Sequence, residues 1–240
     1  MSTENAPQGE AFERTERTTL TRRAHRGIYD KDFIYDVLDG TFMCNVAYLH
    51  NGSPMVLPTG YGRMGDYIYI HGSNKSTMLS SALSGQEVCV LVTLVDGIVL
   101  ARALYNHSVN YRTVVLYGVP EEVTDLEEKR ASFKAYADQI VKGRYEDARP
   151  PNDKELATTT VMRIPLTEAV AKMRAGPAMD FDKDLDRDCW AGELFVKQVF
   201  SEAVRDPRGD QTAQMPDYVK NYEVLPSKER QETENTSDNV

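Results

Sequence analysis

Residues 67–83, YIYIHGSNKSTMLSSAL, concentrate the side chains best suited to holding an anion. A β-branched and aromatic run ends at His71, Gly72 lets the backbone turn closely, and Ser73, Asn74, Lys75 and Ser76 precede a helical pattern. A helix N-terminus carries unpaired N–H groups and a partial positive charge, so it suits a phosphate. Lys75 would add a formal charge, and Ser73 and Ser76 hydroxyl donors. The same residues serve equally as ordinary N-caps beside a solvated lysine. A second polar cluster, NHSVNYRT at 106–113, separates two apolar runs and contains His107, Tyr111 and Arg112. Arg112, at the start of an apolar strand, would project a cation near a barrel rim; the plain alternative is a polar connection with a surface arginine. The histidines and cysteines lack metal-ligand spacing, so no structural zinc is expected. There is no Gly-Xaa-Gly-Xaa-Xaa-Gly after a strand, so no Rossmann domain is expected either. The acidic run DFDKDLDRD at 180–188 lacks the glycine and terminal glutamate of an EF-hand and reads as a solvated loop.

The elements that must position these residues are mostly strands. Residues 43–49 alternate and end at the turn signal His50-Asn51-Gly52-Ser53, after which 55–58 starts a second strand. Arg63-Met64-Gly65-Asp66 is the next turn, followed by a strand over 67–71. The apolar run 88–94 meets Asp96-Gly97, a two-residue hairpin signal, and 98–104 would return beside it. Further strands are expected at 113–119 and 161–164, the latter led in by Thr158-Thr159-Thr160. Strands at this spacing with tight turns indicate a closed or nearly closed antiparallel barrel. Three helices interrupt them: one capped by Asp30, one carrying Met78, Leu79, Ala82 and Leu83, and one over 125–141. In the last, Thr124 and Glu127 fit a capping box, Phe133, Ala137, Ile140 and Val141 form an apolar stripe, and Gly143 stops it. Residues 144–154, with two prolines, read as a loop.

Composition limits the function classes. The chain has 240 residues, with 37 acidic and 28 basic side chains and a net charge of −9, which argues against nucleic-acid or anionic-membrane binding. No apolar run approaches the ~20 residues of a membrane span, and the polar N-terminus lacks a secretory apolar region, so a cytoplasmic location is expected. Cys44, Cys89 and Cys189 read as reduced core residues. Residues 1–20 are expected to be flexible, 21–205 to form the barrel domain, and 206–240 to be an extension, largely flexible from 226.

Several segments in collinear order give the chain a resemblance. They are RRAHRG at 22–27, GSPMVLP at 52–58, the 67–83 segment, VT to LAR around Asp96-Gly97, HSVNYRTVV at 107–115, AKMRAGP at 171–177 and WAG at 190–192. Together they span about 170 of the 240 residues. The chain resembles the flavin-nucleotide-binding group related to pyridoxamine 5′-phosphate oxidase, which includes the nitroimidazole-resistance proteins. The resemblance implies a mainly β fold with peripheral helices: a six-stranded antiparallel Greek-key split β-barrel that dimerises, with FMN in grooves between the subunits. It places Ser73, Asn74, Lys75 and Ser76 near the FMN phosphate, with Arg112 as a further positive contact. It puts Pro58, Thr59, Gly60 and Tyr61 along the isoalloxazine ring, Tyr111 in a segment around the flavin, and His71 where nitroimidazole-resistance members carry a functional histidine. His71 could orient a substrate or donate a proton, or be a buried strand-end histidine bonded only to backbone.

Two departures qualify this. The C-terminal run SEAVRDPRGDQTAQ lacks the Arg-Leu-Xaa-Pro type segment and arginine-histidine pair that grip pyridoxamine phosphate, so vitamin B6 oxidation is not expected. The usual Trp-Xaa-Gly-Val-Xaa-Pro is here Trp190-Ala191-Gly192-Glu193-Leu194-Phe195, without the proline. The expected activity is flavin-dependent oxidoreduction of a small electron-poor acceptor such as a nitroaromatic, quinone or enone, with NADPH or NADH as reductant. The rival is a non-catalytic flavin- or haem-binding carrier or sensor of the same fold.

Overall fold

A computed structural model describes residues 9–222 of the chain. Its strands are β1 (Gly27–Ile28), β2 (Met43–His50), β3 (Ser53–Gly60), β4 (Gly62–Met64), β5 (Tyr67–Ser73), β6 (Val88–Leu100), β7 (Ser108–Gly118), β8 (Glu121–Glu122), β9 (Thr159–Pro165), β10 (Glu168–Arg174) and β11 (Gly192–Phe195). The helices are α1 (Lys31–Asp39), α2 (Thr77–Ala82), α3 (Leu126–Ile140), α4 (Arg144–Asp147), α5 (Asp153–Ala157) and α6 (Asp217–Lys220). Every strand pair is antiparallel. The larger sheet runs β1-β10-β7-β6-β2-β3 with β11 added to β6, and the smaller runs β4-β5-β9-β8. The fold is thus mainly β and antiparallel with peripheral helices. Seven longer strands and four short ones, β1, β4, β8 and β11, stand against the six that the resemblance implies.

Between the sheets lies one apolar core. Val46, Val90, Val92, Val114 and Leu116 from the larger sheet meet Ile68, Ile70, Met162 and Ile164 from the smaller, while Ile34, Val37 and Leu38 of α1 close one side. Strand alternation explains the selection: Cys44, Val46 and Tyr48 of β2 point inward, and Met43 and Leu49 outward. The β2–β3 hairpin turns at Asn51 and Gly52, whose φ values of 50° and 76° match the two positive angles of a tight hairpin turn.

Asp96-Gly97 is not a hairpin. Strand β6 continues through it to Leu100, and the register with β7 shifts between Val95 and Gly97, making a bulge. The glycine is required there by packing: a Cβ on Gly97 would sit 3.0 Å from the Leu194 carbonyl of β11. Helix α3 is capped by Asp125, which accepts from the Glu128 N–H at 2.8 Å, rather than by Thr124. The capping box lies elsewhere, between Asn152 and Glu155 at the start of α5. Residues 144–154, expected as a loop, thus hold α4 and the start of α5. The third helix buries Ser132 and Gln139 most deeply, so its inner face is more polar than the expected apolar stripe.

Residues 9–20, expected to be flexible, are packed. Phe12 enters the core, Ala11 bridges Asp30, and Arg17 pairs with both Glu87 and Glu168 while lying over the Tyr117 ring. Composition undervalues this stretch because its anchors are a single phenylalanine and one arginine among polar residues. The rest of the expected flexible segments, 1–8 and the tail from 226, lies outside the described residues. The cysteines also divide. Cys44 is buried and its thiol is pushed up to about 12 by burial, Cys89 is half-buried, and Cys189 is exposed rather than in the core. Among the described residues no helix is long and apolar enough to cross a membrane.

Candidate functional site

The loop from β5 to α2 is held by local bonds that use part of its donor set. Ser73 Oγ accepts the Lys75 backbone N–H at 3.2 Å, the Asn74 N–H reaches the Thr158 carbonyl at 3.1 Å, and Ser76 caps α2 by accepting the Leu79 N–H. These bonds hold the loop without help from the Lys75 side chain, which is exposed and forms no ion pair with any described residue.

Strand β3 is the outer edge of the larger sheet, with one long side free of any described neighbouring strand. Such an edge presents backbone N–H and C=O groups to a ligand or to another chain. Pro58, Thr59 and Gly60 lie at its end. Register places Thr59 beside Cys44 and Pro58 beside Asn45, so these two neighbours face opposite sides of the sheet. Tyr61 differs from expectation: its side chain is fully buried, with its hydroxyl donating to the Leu38 carbonyl. Its backbone N–H is engaged as well, by the Phe42 carbonyl at 3.2 Å, so the residue presents nothing to a cofactor.

His71 lies on the outer face of the smaller sheet, in one row with Tyr67 and Tyr69, underneath α3. Its ring centroid is 4.7 Å from that of Phe133 and 4.5 Å from that of Tyr136, the latter edge-on. Gly60 and Gly62 explain how α3 comes so close. A Cβ on Gly60 would meet the Tyr136 ring at 2.7 Å, and one on Gly62 would meet the Tyr136 backbone nitrogen at 2.6 Å. Tyr136 therefore joins the end of β3 to His71. Sequence reasoning missed it; the available signal was the Gly-Xaa-Gly at 60–62, which implies a close-packed partner.

Burial lowers the His71 pKa from its ordinary value of 6.5, favouring the neutral imidazole. As pH falls, the unfolded chain binds the proton first. The stability linked to neutral His71 is therefore complete above about pH 6.5 and is lost on acidification from there toward the folded-state pKa. Melting temperatures measured through this window should fall less steeply for His71→Gln than for wild type; equal slopes would exclude His71 as the cause.

Tyr111 and Arg112 sit side by side on β7 and therefore face opposite sides of the larger sheet, which prevents their side chains from lining one surface together. Arg112 extends the inward row of Val114 and Leu116. Its guanidinium is already held by Asp96, with contacts of 3.0 and 2.8 Å, and belongs to a different sheet from the 73–76 loop. The bulge at Asp96-Gly97 is what supplies this carboxylate. Tyr111 instead pairs across the strands with Arg174 of β10. Arg174 is almost fully buried and donates to Asn110 and to the Gly176 and Pro177 carbonyls, the latter at 2.6 and 2.9 Å, while the Asn110 amide donates to Glu193 of β11. The structure thus brings His71 and Gly60 together around Tyr136, and places Arg112 and Tyr111 elsewhere.

Comparison with known proteins adds the following. The profile of a family described as pyridoxamine 5′-phosphate oxidase matches residues 30–173. The flavocytochrome Anf3 of Azotobacter vinelandii has a similar structure, with a TM-score of 0.82 at 31% identity over 88% of this chain and 98% of that one. The FAD and heme binding protein of Mycobacterium smegmatis gives 0.77 at 29% identity, covering 81% and 96%. A protein assigned to 5-nitroimidazole antibiotic resistance in Bacteroides thetaiotaomicron shares the fold, at 0.53 and 22% identity over 61% and 85%. No curated protein sequence matches the chain.

Proposed function

Because the chain belongs to the pyridoxamine 5′-phosphate oxidase family, we propose that it binds a flavin nucleotide and acts as a flavin-dependent oxidoreductase on a small, conjugated, electron-poor acceptor. The observation that carries the reading is the 73–76 loop, held by its own bonds, with an exposed lysine that pairs with no carboxylate among the described residues. Lys75 and the loop hydroxyls would hold the FMN phosphate, and the backbone at Pro58, Thr59 and Gly60 would face the ring. A bound flavin would supply hydride or electron transfer, taken from NADPH or NADH. The phosphate side is supported by Lys75, which pairs with no carboxylate among the described residues. Support is weaker at Arg112, whose charge Asp96 already balances. Neutral His71 would act as a hydrogen-bond donor or acceptor toward the substrate, not as a fixed cation.

The outward face of the larger sheet supports a homodimer with the cofactor cleft between copies. It exposes Met43, Leu49, Val56, Leu91 and Val95, a continuous apolar surface across β2, β3 and β6. Apolar surface of this extent marks an interaction site. The assembled protein is read as cytoplasmic.

A second reading, a flavin- or haem-binding carrier or sensor without efficient turnover, is favoured by the flavocytochrome and the FAD and heme binding protein among the relatives. Of the four histidines, His107 fits an iron ligand best. Its Nδ1 lies 3.1 Å from the Ala103 carbonyl, which would leave Nε2 outward beside the exposed Leu104 and Tyr105. His50 has both nitrogens engaged, by Ser81 and Asn51.

The spectrum of the purified protein separates the readings. Flavin bands at about 370 and 450 nm that bleach anaerobically with NADPH or NADH support the oxidoreductase, and a Soret band supports haem. A colourless protein that takes up no flavin on titration sinks the flavin assignment.

A further inference from the structure

Beyond β11 the chain leaves the body. The Val196 N–H still donates to the Asp96 carbonyl at 3.0 Å, prolonging the pairing of β11 with β6. The body is met again at α6, where the Tyr218 hydroxyl donates to Asp147 at 2.6 Å and the Tyr222 hydroxyl to the Ile140 carbonyl. Every residue from 194 to 214 is exposed, and 197–204 form no hydrogen bond with any described residue. The bonds of 205–214 stay inside the segment. Arg205 donates to the Asp210 and Ala213 carbonyls, Arg208 pairs with Asp206, and Gln211 donates to the Gly209 carbonyl. The tip is therefore shaped by its own bonds. The limb leading to it packs against α6 through Phe200, whose ring centroid lies 4.7 Å from that of Tyr222.

That limb has the wrong composition for solvent. Leu194, Phe195, Val196, Val199, Phe200 and Val204 are all exposed, the two outermost valines by 81% and 93%. A loop longer than about 12–15 residues without strand or helix needs burial to offset its ordering entropy, or a function that keeps it. Its charges do not suit a strongly charged partner, because residues 194–214 hold three basic and three acidic side chains. A neutral apolar surface is present on the chain itself. Residues 43–49 of β2 and 91–95 of β6, whose alternate side chains form the outward face of the larger sheet, include no charged residue. That face continues to the root of the limb, since Val109, Ile98 and Leu194 stand in register across β7, β6 and β11 and are all exposed. The limb does not cover the face of its own copy, because both are exposed. A segment and a face that each lack cover complement one another in a two-fold pair, where each copy gives the one and receives the other.

We propose that residues 197–214 are an arm that lies across the outward face of a second copy. The inference rests on the homodimer reading above and deepens it. Met43 stands opposite Gly60 in register, so an arm seated over Met43 lies beside the Pro58–Gly60 backbone, and each cofactor cleft is walled by the partner's arm.

The test uses the full chain, as wild type and as Val199→Asp/Val204→Asp. Both altered side chains are exposed in a single copy, so circular dichroism should not change. In sedimentation the wild type should be a dimer. The variant should dissociate at concentrations at least about 10-fold higher, because it sets two carboxylates against an apolar face. Trypsin reads the position of the arm. Cleavage of wild type after Lys197 and Arg205 should be at least about 10-fold slower in the dimer than in monomers obtained by dilution. A variant dimer as strong as that of wild type, or cleavage at the same rate in dimer and monomer, overturns the inference and leaves the dimer reading in place. Wild type that is monomeric at every concentration overturns both.

Discussion

Replacing Lys75 with alanine lowers flavin affinity about 10- to 100-fold, the loss expected for a charge-assisted hydrogen bond of about 1.5–3 kcal/mol, and leaves the melting temperature unchanged. The two halves of this result follow from the way the loop is held. Its internal bonds run from the Lys75 backbone N–H to Ser73 Oγ, from Asn74 to Thr158, and from Leu79 to Ser76 Oγ. An alanine retains all three. What disappears is an exposed ammonium with no carboxylate partner among the described residues, so the substitution removes charge without removing structure. Flavin fluorescence during titration of the apoprotein measures the first half and thermal unfolding the second. Unchanged affinity would take Lys75 out of the phosphate site. An affinity loss accompanied by a lower melting temperature would show that the side chain supports the loop after all.

Gly62→Ala should be the most damaging single-methyl change in the protein. The added carbon would lie 2.6 Å from the Tyr136 nitrogen and 2.7 Å from the Ala135 carbonyl carbon. Both are helix backbone and cannot rotate away, so α3 must move as a body or β4 must bend. Overpacking of this kind costs about 1–3 kcal/mol, a fall in melting temperature of roughly 3–10 °C in a chain of this size. Movement of α3 would also draw Tyr136 off His71 and relax the burial that lowers its pKa. The His71 titration midpoint, followed by NMR, should therefore return toward 6.5 in the variant. An unchanged melting temperature would show that the helix is seated more loosely than the contact distances imply.

The sequence made the strands legible wherever side chains alternate, because burial of one face imposes a period of two. That is why β2, β5 and the start of β6 follow from residue types alone. Asp96-Gly97 misled because the same dipeptide suits a tight turn and a bulge, and the choice depends on β11, nearly a hundred positions away in the chain. The site was legible in parts for a similar reason. Ser73, Asn74, Lys75 and Ser76 are consecutive, so their grouping is a local fact. Tyr61 and Tyr111 are placed at the flavin by the resemblance, whereas alternation turns the first into the core and the second away from Arg112. Tyr136, Asp96 and Arg174 act through long-range contacts, which no local pattern encodes.

The Leu38 carbonyl, at the C-terminal end of α1, accepts from the Tyr61 hydroxyl and from the Gln139 amide of α3, while the same amide also donates to the Thr41 carbonyl at 2.6 Å. Lifting α3 would therefore strip a partner from the end of another helix and leave buried polar groups unpaired. This ties α1, the start of β4 and α3 into one cooperative block, so the helix above His71 behaves as a wall and not as a hinged lid. A molecule that reached the imidazole by displacing it would wait on local unfolding, with the slow exchange that implies, instead of on the fast loop opening that gates many enzymes.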